Sequence, residues 1–170
     1  RFDKWNVKLD PYSNGKHILI CPSSDTMTLA VVNQTADQWL AYTITELKKH
    51  TDRPIKVRYK PRSTGVSGPD AEKLDGSTSV QQDLIDAYCV VTTVSLVSLE
   101  AQLAGIPTFC HPRSFAVGVS EIDLSKIENP KIADRHRWLN WLAYNQFTEQ
   151  EIASGVAYDI LQDMYSCEKH

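Results

Sequence analysis

The segment from Ala87 to Cys110 constrains the fold of this chain more than any other stretch. Its residues Cys89–Thr92 are typical of a buried strand, and a turn of small polar residues follows them. A short helix comes next, and Gly105 and Pro107 end it before a second buried strand. Strand, turn, helix and strand in this order predict an α/β domain with a parallel sheet.

The other apolar runs continue the same alternation along the chain. Buried strands are predicted at His17–Pro22 and Ile55–Tyr59, with an amphipathic helix at Ala36–His50 between them. We therefore expect an irregular segment at 1–16 and a doubly wound, Rossmann-like domain with helices at 17–165. Further helices are predicted at Val80–Ala87, Ile132–Tyr144 and Thr148–Met164, with loops at 61–79 and 111–133.

Composition excludes several functional classes. The net charge of −3 over 170 residues offers no general basic field for nucleic acid. No apolar run is long enough to span a bilayer, and the four cysteines lack a CxxC spacing, so we expect structural thiols in a reducing cytoplasm. No GxGxxG, P-loop or HExxH motif occurs, and we expect no metal site. Because the chain begins at Arg1 rather than Met, we expect that a methionine, a pro-segment or an entire preceding domain has been removed.

Polar side chains gather where the predicted strands end, at Pro22–Thr26, Tyr59–Ser63, Thr92–Ser95 and Cys110–Ser114. Parallel strands place these carboxyl ends on one edge of the sheet, which is where such folds bind ligands. Hydroxyl and basic side chains beside a helix start are suited to phosphate. We therefore predict a nucleotide site, whose candidate binding residues are Ser23, Ser24, Thr93, Ser95, Ser98, Glu100, His111 and Arg113.

Three charged side chains have more specific interpretations. Arg58 and Lys60 share one face of the second strand, and two cations there would neutralise a diphosphate. Glu100 lies within the short helix, where its two oxygens suit a ribose diol. Plainer alternatives stay open: a solvated basic edge, a surface carboxylate, a simple helix cap at Ser95 and a structural His111.

Residues Val91–Pro107 resemble the donor-binding half of GT-B glycosyltransferases, most closely the capsule-polysaccharide type. The pattern consists of the strand, the Thr-Thr-Val-Ser turn, and S-x-E-A-x-x-x-G-x-P starting at Ser98. That family commonly ends its second strand with a basic residue followed by His-Pro, whereas this chain has Lys60-Pro61. Stretches at 123–128, 138–148 and 151–155 are similar to uncharacterised bacteriophage proteins.

The resemblance implies a metal-independent transferase whose C-terminal domain binds a nucleoside diphosphate sugar as donor substrate, without a further cofactor. It assigns Ser95 and Ser98 to phosphate and Glu100 to ribose. Lys60, with Arg58, would be catalytic by stabilising charge on the leaving diphosphate. Such an enzyme needs an acceptor-binding domain, so we expect either a missing N-terminal domain or a homodimer.

The alternative is a stand-alone, non-catalytic protein that binds or sequesters a nucleotide, such as a phage counter-defence factor. It would use the same pocket without turnover. Either protein would act in the cytoplasm, which is the host's if a phage encodes it. The sugar, the base and the acceptor stay open.

Overall fold

The computed structural model describes residues 6–59, 71–74 and 77–167. Within them lies an all-parallel sheet with the strand order β3-β2-β1-β4-β5. The strands are β1 (His17–Cys21), β2 (Ile55–Arg58), β3 (Glu72–Leu74), β4 (Ala87–Thr92) and β5 (Thr108–Phe109). The expected Rossmann-like α/β fold is therefore confirmed.

The side chains of successive strand residues point to opposite faces of the sheet. Both faces are therefore apolar here, and helices pack against each of them. Ile18 and Ile20 pack with Trp39 and Leu40 on one face, while Leu19 and neighbouring side chains form a second core on the other. The helices in the same compact unit as the sheet are α1 (Asp25–Val32), α2 (Ala36–Leu47), α3 (Val80–Asp83) and α4 (Val97–Leu103). The other compact unit contains α5 (Arg135–Tyr144), α6 (Glu149–Ala153) and α7 (Val156–Cys167).

Three elements differ from the sequence expectation. The predicted polar loop after β1 forms α1, in which Thr28 is the buried residue, so no apolar stripe signals this helix. The predicted loop 61–79 contains the short, mostly exposed strand β3, although 60–70 and 75–76 lie outside the described residues. The predicted helix Thr148–Met164 is two helices, separated at Gly155, which has a φ of +83°.

The chain divides into two compact units. Lys8–Ala133 contains the whole sheet, and the second unit combines the described residues of Arg1–Val7 and Asp134–His170. In that second unit Asp134 caps α5, as its sequence position suggests, by accepting a hydrogen bond from the His136 amide at 3.0 Å. The single domain expected at 17–165 stays a prediction. Across the described ranges, no helix combines the length and the apolarity needed to cross a membrane.

His17, the first residue of β1, gives the fold a pH dependence. Its side chain is buried, its Nε2 atom has no hydrogen-bond partner among the described residues, and burial and then Lys56 lower its pKa below 6.5, although Asp86 and Glu72 oppose this. The unfolded chain therefore binds the proton more readily than the folded chain. We expect the free energy of unfolding to decrease as the pH falls below about 6.5.

Urea denaturation between pH 7 and pH 5 measures this effect. The substitution His17→Gln should flatten the profile, whereas His136→Gln, at an exposed position, should leave it unchanged. An equally steep profile for His17→Gln would assign the pH dependence to other groups.

Candidate functional site

The carboxyl ends of β1 and β4 are tied together by hydroxyl groups. Thr92 Oγ1 donates to the Cys21 carbonyl and Thr93 Oγ1 donates to Ser23 Oγ, both at 2.6 Å and both buried. The chain order of the strands reverses between β1 and β4, since β2 and β3 lie on one side and β5 on the other. Open α/β sheets bind their ligands at such a reversal. The predicted residues Ser23 and Thr93 therefore lie together at the expected edge.

A pocket of about 140 Å³ opens beside this edge. It lies on the sheet face that α2 covers, and its walls are mainly apolar and aromatic. They come from α1, α2, the ends of β4 and β5, and the loop after β5. The lining residues are Val32, Trp39, Tyr42, Thr43, Val91, Thr92, Thr93, Phe109, Cys110, His111, Pro112, Ile122 and Leu124.

Thr43 is the unusual member of this wall. Its side chain is buried, with 1% of the residue exposed, and its Oγ1 atom has no hydrogen-bond partner among the residues described. Thr28 and Thr45, also in helices, instead donate to the carbonyl four residues earlier, at 3.0 Å and 2.8 Å. Leaving a buried hydroxyl unpaired costs about 1–3 kcal/mol.

His111 adds an ionisable side chain to the pocket wall. Its Nδ1 atom accepts a hydrogen bond from the Arg113 amide at 3.2 Å, so the neutral ring carries its proton on Nε2. Burial, and then the Arg113 charge, lower the pKa of His111 below its ordinary value, which keeps the ring neutral at pH 7. His111 is therefore a hydrogen-bond donor in the pocket wall, while the side chain of Arg113 is exposed.

The serines before and within α4 are engaged inside the protein. Ser98 Oγ donates to the Ser95 carbonyl at 2.8 Å and lies 3.2 Å from Ser114 Oγ. Helix α4 begins at Val97, and Leu96 is its N-cap residue, so the predicted start at Ser95 is wrong by two residues. Ser95 Oγ still accepts a hydrogen bond from the Val97 amide at 3.4 Å. The phosphate-binding roles of Ser95 and Ser98 stay predictions.

Arg58 forms an ion pair within the fold. Its Nε atom donates to Asp83 Oδ2 at 2.5 Å, and its Nη2 atom donates to the Thr78 carbonyl at 3.2 Å. The two charged side chains are only 11% and 7% exposed. Asp83 therefore neutralises Arg58, which is one of the two cations predicted to bind a diphosphate. Lys60 lies outside the described residues, so the catalytic roles of both cations stay predictions.

The remaining predicted residues lie on two different sides of the sheet. Half-buried Glu100 accepts a hydrogen bond from the Gln81 side chain of α3 at 3.3 Å, on the face opposite the pocket. Exposed Ser24 precedes α1, and its carbonyl accepts the Thr28 amide at 2.9 Å. Glu100 and Arg58 therefore contact α3, whereas Ser23, Thr93 and His111 lie at or beside the pocket.

The three cysteines whose side chains the structure describes do not supply a nucleophile at neutral pH. Cys21, Cys89 and Cys110 are buried and free, as expected of structural thiols. Burial raises the pKa of Cys21 to about 12 and also raises those of the other two thiols. Each therefore stays protonated, and a protonated thiol is a poor nucleophile.

Three residues that line the pocket were not predicted from the sequence to do so: Trp39, Thr43 and Phe109. The signal for Thr43 was its position, because it is a polar residue within the apolar stripe of α2. Phe109 lies in a buried strand, where an aromatic side chain is expected for packing alone.

No protein-family model and no curated protein matches this chain. The resemblance to GT-B glycosyltransferases therefore rests on the sequence pattern at Val91–Pro107. Function is inferred from the pocket and the groups around it.

Proposed function

We propose that this chain is a nucleotide-binding domain that holds a nucleoside diphosphate, free or as a sugar ester, at the carboxyl edge of its sheet. The observation that carries the proposal is the mainly apolar pocket beside the carboxyl ends of β1 and β4, where the chain order of the strands reverses. Open α/β sheets bind nucleotides and other ligands at such a reversal.

The surroundings of the pocket favour a nucleotide over a purely apolar ligand. Trp39 and Phe109 give apolar walls for a flat ring, and the polar turns after β1 and β4 lie next to them. A mostly apolar cleft with a few polar groups is the usual form of a cofactor or nucleotide site. The ring would enter the pocket, and the phosphates would extend along the turns at Ser23–Ser24 and Thr93–Ser95.

The transferase activity is a further part of the proposal. A donor-binding domain of a metal-independent GT-B glycosyltransferase would contain this site, and so would a stand-alone nucleotide-binding or nucleotide-sequestering protein. The Arg58–Asp83 ion pair favours binding over catalysis, because it occupies one of the two cations expected to stabilise a leaving diphosphate.

Nucleoside diphosphates are expected to raise the melting temperature of the protein. A ligand at 100 times its Kd adds about 2.7 kcal/mol to the stability, which is a shift of about 5–10 °C for a chain of this size. Ser95→Ala should reduce the shift, because Ser95 lies in the turn proposed to hold the phosphates, whereas Glu100→Ala should not, because Glu100 lies on the sheet face opposite the pocket. Ser166→Ala and Glu149→Ala, at exposed positions in α7 and α6, are the matched controls.

No shift with any nucleoside diphosphate or nucleotide sugar at millimolar concentration would overturn the proposed function. A shift without hydrolysis or transfer of the bound nucleotide sugar would favour the non-catalytic alternative. Release of the sugar or its transfer to an acceptor would favour the transferase.

A further inference from the structure

We infer that the compact unit that contains α5, α6 and α7 carries the contact surface for a second copy of this chain. In the dimer the exposed side of α5 packs against α7 of the other copy, about a two-fold axis. The inference goes beyond the proposed function, because it involves no residue of the pocket or of the turns beside it.

Large apolar side chains are exposed in this unit although the unit is small. Along the apolar side of α7 the cover decreases, because Ala157 is buried, Leu161 is half-buried and Met164 is exposed. Single exposed apolar side chains are common, but a concentration of them in one small unit is typical of an interaction surface. The side chains with exposed fractions between 39% and 66% are Trp141, Tyr144, Ile152, Val156, Tyr158 and Met164.

The exposed side of α5 combines a positive charge with aromatic rings. Arg137, Trp141 and Tyr144 follow one another at intervals of four and three residues, so they lie on one side of the helix. Arginine, tryptophan and tyrosine are the residue types that most often dominate the binding energy of protein interfaces. This side of α5 is therefore suited to a protein surface that is both apolar and acidic.

Helix α7 offers such a surface. Val156, Asp159 and Asp163 are exposed and follow one another at intervals of three and four residues, so two carboxylates and an apolar side chain share one side of the helix. In the part of the chain that the structure describes, Arg137, Asp159 and Asp163 form no ion pair. The charges of α5 in one copy and of α7 in another are therefore complementary.

Both halves of this contact lie on the same unit, which favours a second copy over an unrelated partner. A two-fold axis that places α5 of one copy against α7 of the other forms each contact twice. The carboxylates of α7 disfavour an anionic membrane or a nucleic acid at this surface, because both carry negative charge. In the dimer the charged pairs provide specificity, and burial of Trp141, Tyr144 and Met164 provides most of the affinity.

Sedimentation velocity over a range of protein concentrations, without nucleotide, measures the dimer. We expect the original protein to dimerise with a Kd in the micromolar range or below. Trp141→Ser should weaken the dimer about thirtyfold or more, because it removes an aromatic contact that occurs twice. Ile85→Ser replaces an exposed apolar residue of the unit that contains the sheet, and it should leave dimerisation unchanged.

Charge reversal tests which helices meet. Arg137→Glu should weaken the dimer about tenfold or more, and so should Asp159→Lys combined with Asp163→Lys, because like charges then face each other. A mixture of these two variants should dimerise as the original protein does, since both contacts of the mixed dimer again join opposite charges. Lys8→Glu, at an exposed position in the other unit, is the control for the change in net charge. Circular dichroism selects variants that keep the helix content of the original protein.

The outcomes decide between this arrangement and others. A protein that stays monomeric at every concentration would overturn the inference, and so would a dimer that Trp141→Ser and Arg137→Glu leave unchanged. If the mixture of the two charge variants does not restore the dimer, α5 does not pair with α7 of the other copy. A monomer whose melting temperature still rises with nucleoside diphosphates would leave the proposed function standing, and a dimer without such a rise would leave only this inference.

Discussion

Replacing Asp83 by alanine is expected to lower the free energy of unfolding by about 3–5 kcal/mol, because it leaves a nearly buried guanidinium without its counter-charge. Asp83 Oδ2 accepts from Arg58 at 2.5 Å, and its Oδ1 accepts from the Thr78 hydroxyl at 2.6 Å. One substitution therefore removes an ion pair and an additional hydrogen bond. Urea denaturation monitored by circular dichroism measures the loss.

An exposed ion pair provides the control. Lys16 and Asp86 lie 3.1 Å apart with side chains 83% and 47% exposed. Surface pairs contribute little, so Lys16→Met should change the free energy of unfolding by no more than about 0.5 kcal/mol. The double variant with Arg58→Met and Asp83→Leu should recover most of the stability, since it replaces both charges with apolar groups.

The result also bears on ligand binding. If Asp83→Ala costs no more than Lys16→Met, the ion pair does not stabilise the fold, and Arg58 is available for a phosphate. A loss in the expected range would instead make the pair part of the structure. The positive charge for a diphosphate would then come from other groups, of which Lys60 is the predicted one.

Gly105→Ala is expected to destabilise the protein by about 2–5 kcal/mol. Gly105 follows α4 with a φ of +74°, a region that disfavours side chains, and an added Cβ would overlap the backbone carbonyl of Pro11. The turn also holds the N-terminal segment, because the Gly105 carbonyl accepts the Ser13 amide at 2.8 Å. Thermal and urea denaturation both report this loss.

Gly155→Ala isolates the backbone contribution. Gly155 has a φ of +83°, but an added Cβ would have no atom within 4 Å. We expect a cost of about 1–2 kcal/mol there, from the left-handed conformation alone. The difference between the losses of stability of Gly105→Ala and Gly155→Ala measures the energetic cost of the overlap with Pro11. If both variants lose the same amount, the segment that contains Pro11 moves aside without cost.

The order of the strands and helices could be predicted from the sequence, because buried segments have recognisable patterns of apolar residues. β1 and β4 are apolar runs, and β2 alternates apolar with charged residues. The capping boxes at Thr35, Ser79 and Thr148 mark helix starts. Helix α1 was not predicted, because seven of its eight residues are not fully buried and nothing periodic distinguishes them.

The candidate site was only partly readable. The hydroxyl groups of Ser23 and Thr93 follow strands, and parallel pairing of β1 and β4 brings them to one edge, as expected. The partner of Arg58 was not predicted, because Asp83 lies 25 residues later and reaches it through the packing of α3. No local sequence pattern indicates an ion pair between two residues that lie so far apart in the chain.

The amino-acid sequence alone was enough to predict an α/β sheet with polar residues along its carboxyl edge. Apolar runs and turn residues act locally, so they can be interpreted one segment at a time. Which polar groups are satisfied within the fold depends on tertiary packing and could not be predicted. Ser98 and Arg58 find partners from other segments, whereas the hydroxyl of Thr43 is buried beside β4 and β5 without one among the described residues. Hydrogen-bond satisfaction depends on the three-dimensional surroundings of each group, and for this reason it cannot be predicted from the sequence one segment at a time.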